Sequence, residues 1–88
     1  MEPEDIFKKR NLSKVNFDYE ELIGRNLSNT NLKGVDFKNR DIHNANLVNA
    51  KLWDTDLYGV DLTNVNLSGA DLFYADLRNA DLRNTNLS

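Results

Sequence analysis

Sixteen apolar residues recur at every fifth position without interruption: Leu12, Phe17, Leu22, Leu27, Leu32, Phe37, Ile42, Leu47, Leu52, Leu57, Leu62, Leu67, Leu72, Leu77, Leu82 and Leu87. Five residues advance an α-helix by about 140° around its axis, and in a strand an odd step sends successive side chains to opposite faces. Neither element keeps this series on one side, so the chain must turn a corner every five residues. With the central apolar residue written as i, position i−2 holds Val15, Thr30, Val35, Ala45, Ala50, Thr55, Val60, Val65, Ala70, Ala75, Ala80 and Thr85. In an extended segment i−2 and i point the same way, so both face inward, while i−1, i+1 and i+2 face water or form the corner. Gly24, Gly34, Gly59 and Gly69, with Asn29, Asn39, Asn44, Asn49, Asn64, Asn79 and Asn84, occupy i+2, as a corner with φ > 0 requires.

Repeats of fixed length imply stacked units that bury a core only by lying on one another. The number of sides per coil follows from the outward columns. A step of twenty residues from Asn26 reaches Asn46, Asn66 and Asn86, one from Glu21 reaches Asp41, Asp61 and Asp81, and one from Asp36 reaches Asp56 and Asp76. A step of fifteen mixes Asn26, Asp41, Asp56, Asp71 and Asn86. The expected fold is therefore all-β, a square (quadrilateral) parallel β-helix of about four coils over residues 11–88, about 19 Å of stack at ~4.8 Å per layer. Each buried Leu or Phe contributes about 1.5–3 kcal/mol of desolvation against the entropy of ordering the chain.

Ala45-Asn46-Leu47, Ala70-Asp71-Leu72, Ala75-Asp76-Leu77 and Ala80-Asp81-Leu82 repeat the pattern Ala-(Asp/Asn)-Leu-x-x, and looser copies cover residues 10 to 88. In this the chain resembles the pentapeptide-repeat family. The resemblance implies a right-handed quadrilateral β-helix and a family in which most members, including many small cyanobacterial ones, have no assigned activity. A minority, associated with quinolone resistance, look like rods of B-form DNA and bind DNA gyrase.

The two ends and four inward charges depart from the pattern. Pro3-Glu4-Asp5 followed by Lys8, Lys9 and Arg10 has the charge order of a short helix, so residues 1–10 are expected to form a cap with Ile6 and Phe7 over the first coil. Phe7 also falls in phase as one more repeat centre. No matching lid follows Leu87, which predicts end-to-end association of two chains or a separate partner domain, unless the chain is cut short. Arg10, Glu20, Arg25 and Arg40 stand at inward positions, where an unpaired charge is heavily penalised. A Glu20–Arg40 ion pair with Arg25 nearby is one expectation. A first coil that opens Arg10, Glu20 and Arg25 to water is the other.

Composition narrows the function. A chain of 88 residues without cysteine has no disulfide, thiolate or cysteine metal site, and fits a reducing, cytoplasmic setting. No segment approaches the roughly 20 apolar residues that span a bilayer. A net charge of −3 with scattered Lys and Arg argues against direct nucleic-acid binding. His43 is the only histidine, set outward between Ile23 and Thr63, and is expected to be a solvated surface residue that does not converge with the carboxylates. Neither a calcium loop nor a phosphate-cradling glycine motif is present, so no cofactor, metal or enzymatic activity is expected.

Two surface features remain. Glu21, Asp41, Asp61 and Asp81 on one side, with Asp36, Asp56 and Asp76 on the next, form acidic columns. These either accept local backbone N–H groups at the corners or imitate the phosphate rail of DNA. Lys33, Lys38, Lys51, Arg78 and Arg83 interrupt the acid, and ~19 Å spans only about six base pairs at ~3.4 Å each. A third side carries Ser13, Lys33, Trp53 and Phe73 at i+1, with Tyr74 beside them and Tyr58 around the corner. Exposed aromatics in a column, with Lys33 over Trp53, suit a protein partner, although stacking to protect the sheet face explains them as well. The expected role is thus a non-enzymatic scaffold that presents flat faces to a protein. The alternative is a DNA-mimicking inhibitor of DNA gyrase.

Overall fold

The computed structural model describes residues 10–13, 15–17 and 21–88. Single parallel bridges join residues twenty apart all along it, from Asn11↔Asn31 and Asn26↔Asn46 through Asp36↔Asp56 and Asp41↔Asp61 to Asn66↔Asn86. Every bridge sits at i−1, because a five-residue segment supplies only a brief extended stretch before the next corner. The chain winds as a β-helix whose layers stack in register.

A complete interior segment accounts for all five of its backbone N–H groups. In residues 55–59, Thr55 donates to the Leu52 carbonyl (3.3 Å) across the corner, and Asp56 donates to Val35 (3.2 Å) in one neighbouring layer. Leu57 and Gly59 donate to Asp76 (2.8 Å) and Arg78 (3.0 Å) in the other. The fifth, the N–H of Tyr58 at i+1, donates to the Asp56 side chain at 3.0 Å. A buried or half-buried amide without such a partner would cost about 1–3 kcal/mol, so Asn or Asp at i−1 is part of the frame. The same bond, at 2.9–3.2 Å, is accepted by the side chains of Asn11, Asn26, Asn31, Asp36, Asp41, Asn46, Asp61, Asn66, Asp71, Asp76, Asp81 and Asn86, and by Glu21 through Oε1.

Every corner residue from Gly24 to Asn84 has φ between 56° and 72°. Glycine and asparagine tolerate that region, and a Cβ on Gly59 would also lie 2.2 Å from Asn39 Oδ1 in the next layer. Two corners use other residues, Asp54 (φ 59°) and Tyr74 (φ 61°). For an aromatic residue this conformation costs about 1–2 kcal/mol.

The core is the inward series. Leu12 through Leu67 at position i are all buried, and Val35, Ala45, Ala50, Val60 and Val65 fill the space beside them. Phe17 and Phe37 stack with centroids 5.9 Å apart, one layer on the next. Thr55, buried at i−2, satisfies its hydroxyl by donating to the Leu52 carbonyl at 2.8 Å. Burial then declines: Leu72 and Leu77 are half-buried, while Leu82 and Leu87 are 38% and 55% exposed.

Among the inward charges, Arg10 is exposed, whereas Arg25 and Arg40 are half-buried. Arg25 donates through Nε and Nη2 to the Glu21 carbonyl at 3.2 and 3.0 Å, and Arg40 Nη1 donates to the Phe17 carbonyl. Main-chain oxygen thus solvates both guanidinium groups. The expected Glu20–Arg40 pair and the cap over residues 1–10, apart from Arg10, lie outside the described residues. Among the described residues there is no helix, and none therefore long and apolar enough to cross a membrane.

Candidate functional site

The aromatic side is continuous. Lys33 Nζ lies 4.9 Å from the Trp53 ring centroid, Trp53 stacks on Phe73 at 5.4 Å, and Phe73 meets Tyr74 edge-on at 4.3 Å. These contacts follow from the twenty-residue register, which places 33, 53 and 73 directly over one another, and from the corner that swings Tyr74 outward. Phe73 and Tyr74 remain 53% and 75% exposed. Tyr58 belongs elsewhere: its ring is flanked by Lys38 Nζ at 5.6 Å and the Arg78 guanidinium at 5.7 Å, and its hydroxyl accepts from Asn79 Nδ2 at 2.7 Å. The Lys38–Tyr58–Arg78 column was readable from the same twenty-residue step.

Among the described residues, one i+1 amide lacks the side-chain acceptor that the repeat supplies elsewhere. Lys51 occupies an i−1 position, and lysine offers no acceptor. Ala50, Lys51, Leu52 and Asp54 donate as their counterparts do elsewhere, to Leu47, Thr30, Asp71 and Phe73, but the Trp53 N–H has no acceptor among the described residues. Beside it opens a groove of about 330 Å³ lined by Asn31, Lys33, Lys51, Trp53 and Asp71.

The acidic columns are arranged differently. Glu21, Asp36, Asp41, Asp56, Asp61, Asp76 and Asp81 each accept the i+1 amide described above, so the carboxylates close corners. Two of them also hold a local cation. Arg78 contacts Asp76 through Nε (2.9 Å) and Nη2 (2.8 Å), and its guanidinium holds the Asp76 carboxyl down to about 2. Arg83 grips Asp81 in the same way, with Nη2 at 2.6 Å, and lowers its pKa. Asp41 is held below the usual carboxylate range by the amide of His43 and by its ring, whose Nδ1 lies 2.7 Å from Oδ1.

His43 also corrects an expectation. It does converge with carboxylates: ligand-capable atoms of Asp41, His43 and Asp61 lie within 4.8 Å of one another. Positions i−1 and i+1 lean together across each turn, and the layer spacing brings Asp61 over Asp41. The trio is exposed or half-exposed, and Oδ1 of each carboxylate is already committed to backbone or side-chain donors.

A family model described as pentapeptide repeats (8 copies) matches residues 21–54 and 54–88. The chain belongs to the pentapeptide-repeat family. Its solved relatives share the fold. A pentapeptide-repeat protein from the Arabidopsis thaliana thylakoid lumen is 37% identical, with a TM-score of 0.75 over 77% of this chain and 47% of its own. A pentapeptide-repeat protein from Nostoc PCC 7120 is 27% identical, with a TM-score of 0.83 over 89% of this chain and 64% of its own. HetL, from the same cyanobacterium and involved in heterocyst differentiation regulation, is 26% identical, with a TM-score of 0.58 over 73% and 37%. The chain therefore spans from about a third to two thirds of the length of these relatives. No curated protein matches it. Like other pentapeptide-repeat proteins, it forms a right-handed β-helix.

Proposed function

We propose that this pentapeptide-repeat protein is a non-enzymatic interaction module, a four-sided rod that offers its Lys33–Trp53–Phe73–Tyr74 side to a protein partner. Corners at every fifth residue and bridges at every twentieth support the four-sided form. The observation that carries the docking role is Tyr74: an exposed aromatic ring held at φ 61°, at a corner where the other described layers use Gly, Asn or Asp. Folding alone gives no reason to place it there, whereas a ring fixed beside Phe73 and Trp53 widens a rigid apolar surface of the kind partners anchor on. HetL, whose named role is regulatory, is a relative of the kind this reading fits.

The alternative, DNA mimicry toward DNA gyrase, draws on the carboxylate columns. Pairing of Asp76 and Asp81 with arginines weakens those columns as a phosphate rail. A second proposed surface is the layer containing Leu82 and Leu87, which would take a second copy of the chain end to end; light scattering gives the mass. A cytoplasmic location rests on the cysteine-free composition. The test of the docking face is the variant Trp53→Ser/Phe73→Ser, with capture from the source cell and thermal unfolding measured on the same preparation. Docking predicts lost capture with the fold retained. Unchanged capture and oligomeric state with a lowered unfolding temperature would mean that the rings serve only to cover the sheet.

A further inference from the structure

We infer that the groove between Lys33, Lys51 and Trp53 is a carboxylate seat, completed by a ligand oxygen where the repeat's own side-chain oxygen is missing. In the layers on either side the equivalent amides are satisfied internally, Lys33 N by Asn31 Oδ1 at 3.0 Å and Phe73 N by Asp71 Oδ1 at 3.1 Å. Between them the Trp53 N–H has no acceptor among the described residues. Neither Lys33 nor Lys51 makes an ion pair among the described residues. The geometry that suits this amide is already displayed elsewhere in the frame: a carboxylate or amide oxygen 2.9–3.2 Å from the nitrogen.

The charge of the groove selects the ligand. Two ammonium groups, Lys33 and Lys51, face one carboxylate, Asp71, whose Oδ1 is held by the Phe73 amide. One positive charge is left over, which matches a single carboxylate. Lys33 lies over the Trp53 ring and Phe73 stacks on it, so it is the edge of the indole, where it borders the groove, that can touch an apolar group attached to that carboxylate. A charge-assisted bond to the amide, with two cations nearby, is stronger than a neutral one. The ligand class is therefore a monocarboxylate joined to an apolar group, whether an acidic side chain of a docked protein or a free aromatic acid. For the protein source the inference rests on the docking reading above. The seat itself does not.

The experiment titrates the full chain with sodium phenylacetate, following the amide of Trp53 by NMR and the fluorescence of this single tryptophan. Saturable binding with a large shift at the Trp53 amide is expected, and phenylacetamide, the neutral analogue, should bind about tenfold more weakly. Lys51→Asn restores the internal acceptor and removes a cation, so binding should fall at least about tenfold while the fold is kept. Lys33→Gln, which leaves the amide open, should weaken it about threefold. The blocked dipeptide Ac-Phe-Asp-NH2 separates the two sources. Binding as tight as phenylacetate or tighter assigns the carboxylate to a protein side chain, and binding of phenylacetate alone assigns it to a small acid. An unmoved Trp53 amide, or equal binding by Lys51→Asn, overturns the seat. Phenylacetate failing to bind while Trp53→Ser/Phe73→Ser still loses capture would remove the seat and leave docking in place.

Discussion

The side bearing Asp41, Asp61 and Asp81 and the side bearing Trp53 and Phe73 have the same backbone and different economies of hydrogen bonding. On the first, each i+1 amide is closed by the carboxylate two residues before it, and Asp81 and Asp41 are further matched by Arg83 and His43. Such a face is self-sufficient. On the second, Lys51 leaves the Trp53 amide open and, among the described residues, Lys33 and Lys51 have no acidic partner, while Phe73 and Tyr74 are exposed. The comparison teaches that in a strict repeat a functional surface shows itself where the rule that satisfies the frame is broken, more than where charge is most abundant.

The largest perturbation should be blind to this difference. Leu52→Ala, beneath the aromatic side, and Leu62→Ala, beneath the acidic side, each delete a fully buried side chain and should each cost about 2–5 kcal/mol in denaturant unfolding. A gap between them of more than about 2 kcal/mol would show that the two sides differ in core packing as well as in surface chemistry. Next in size, Phe73→Ser removes contacts with both Trp53 and Tyr74 and should lower stability by about 1 kcal/mol. Lys51→Asn should act in the opposite direction, raising stability by about 0.5–1.5 kcal/mol, since it supplies the missing acceptor and turns this segment into an ordinary repeat.

The core series, the corner residues and the stacking step were legible because each is a periodic property: apolar at i, small at i−2, Gly or Asn at i+2, and like residues twenty apart. The Lys33–Trp53–Phe73 column followed from the same step. Four other features escaped that reading. Tyr74 and Asp54 sit at positive φ because the frame forces every corner into that region, whatever residue is there, and composition alone does not signal it. Tyr58 is engaged by Lys38 and Arg78, since column neighbours outweigh proximity around a corner. His43 meets Asp41 and Asp61 because i−1 and i+1 side chains converge over a tight turn, whereas a flat-strand picture keeps them apart. Lys51 was visible only as an interruption of acid, and its meaning required knowing which amide each i−1 oxygen serves.

The smallest effects belong to the acidic side. Arg83→Ala breaks an exposed ion pair and should change stability by no more than about 0.5 kcal/mol. At Asp76 the carboxyl is held near 2 in the folded chain, below its ordinary value of 3.8. The folded state therefore binds this proton less readily than the unfolded one, so the pair's contribution is complete above about pH 4 and fades as pH falls toward 2. Arg78→Ala should bring the Asp76 titration, followed by carboxyl NMR, back up toward the ordinary value and flatten that part of the acid-unfolding profile.

Residue-resolved hydrogen exchange measures the difference between the two sides at its source. The Trp53 amide should exchange about tenfold or more faster than those of Tyr58, Thr63 and Phe73, which donate to Asp56, Asp61 and Asp71, and Lys51→Asn should slow it to their level. Protection at Trp53 equal to that of its neighbours in the unsubstituted chain would mean that the frame is closed there too, and the account of this face as the open one would be wrong.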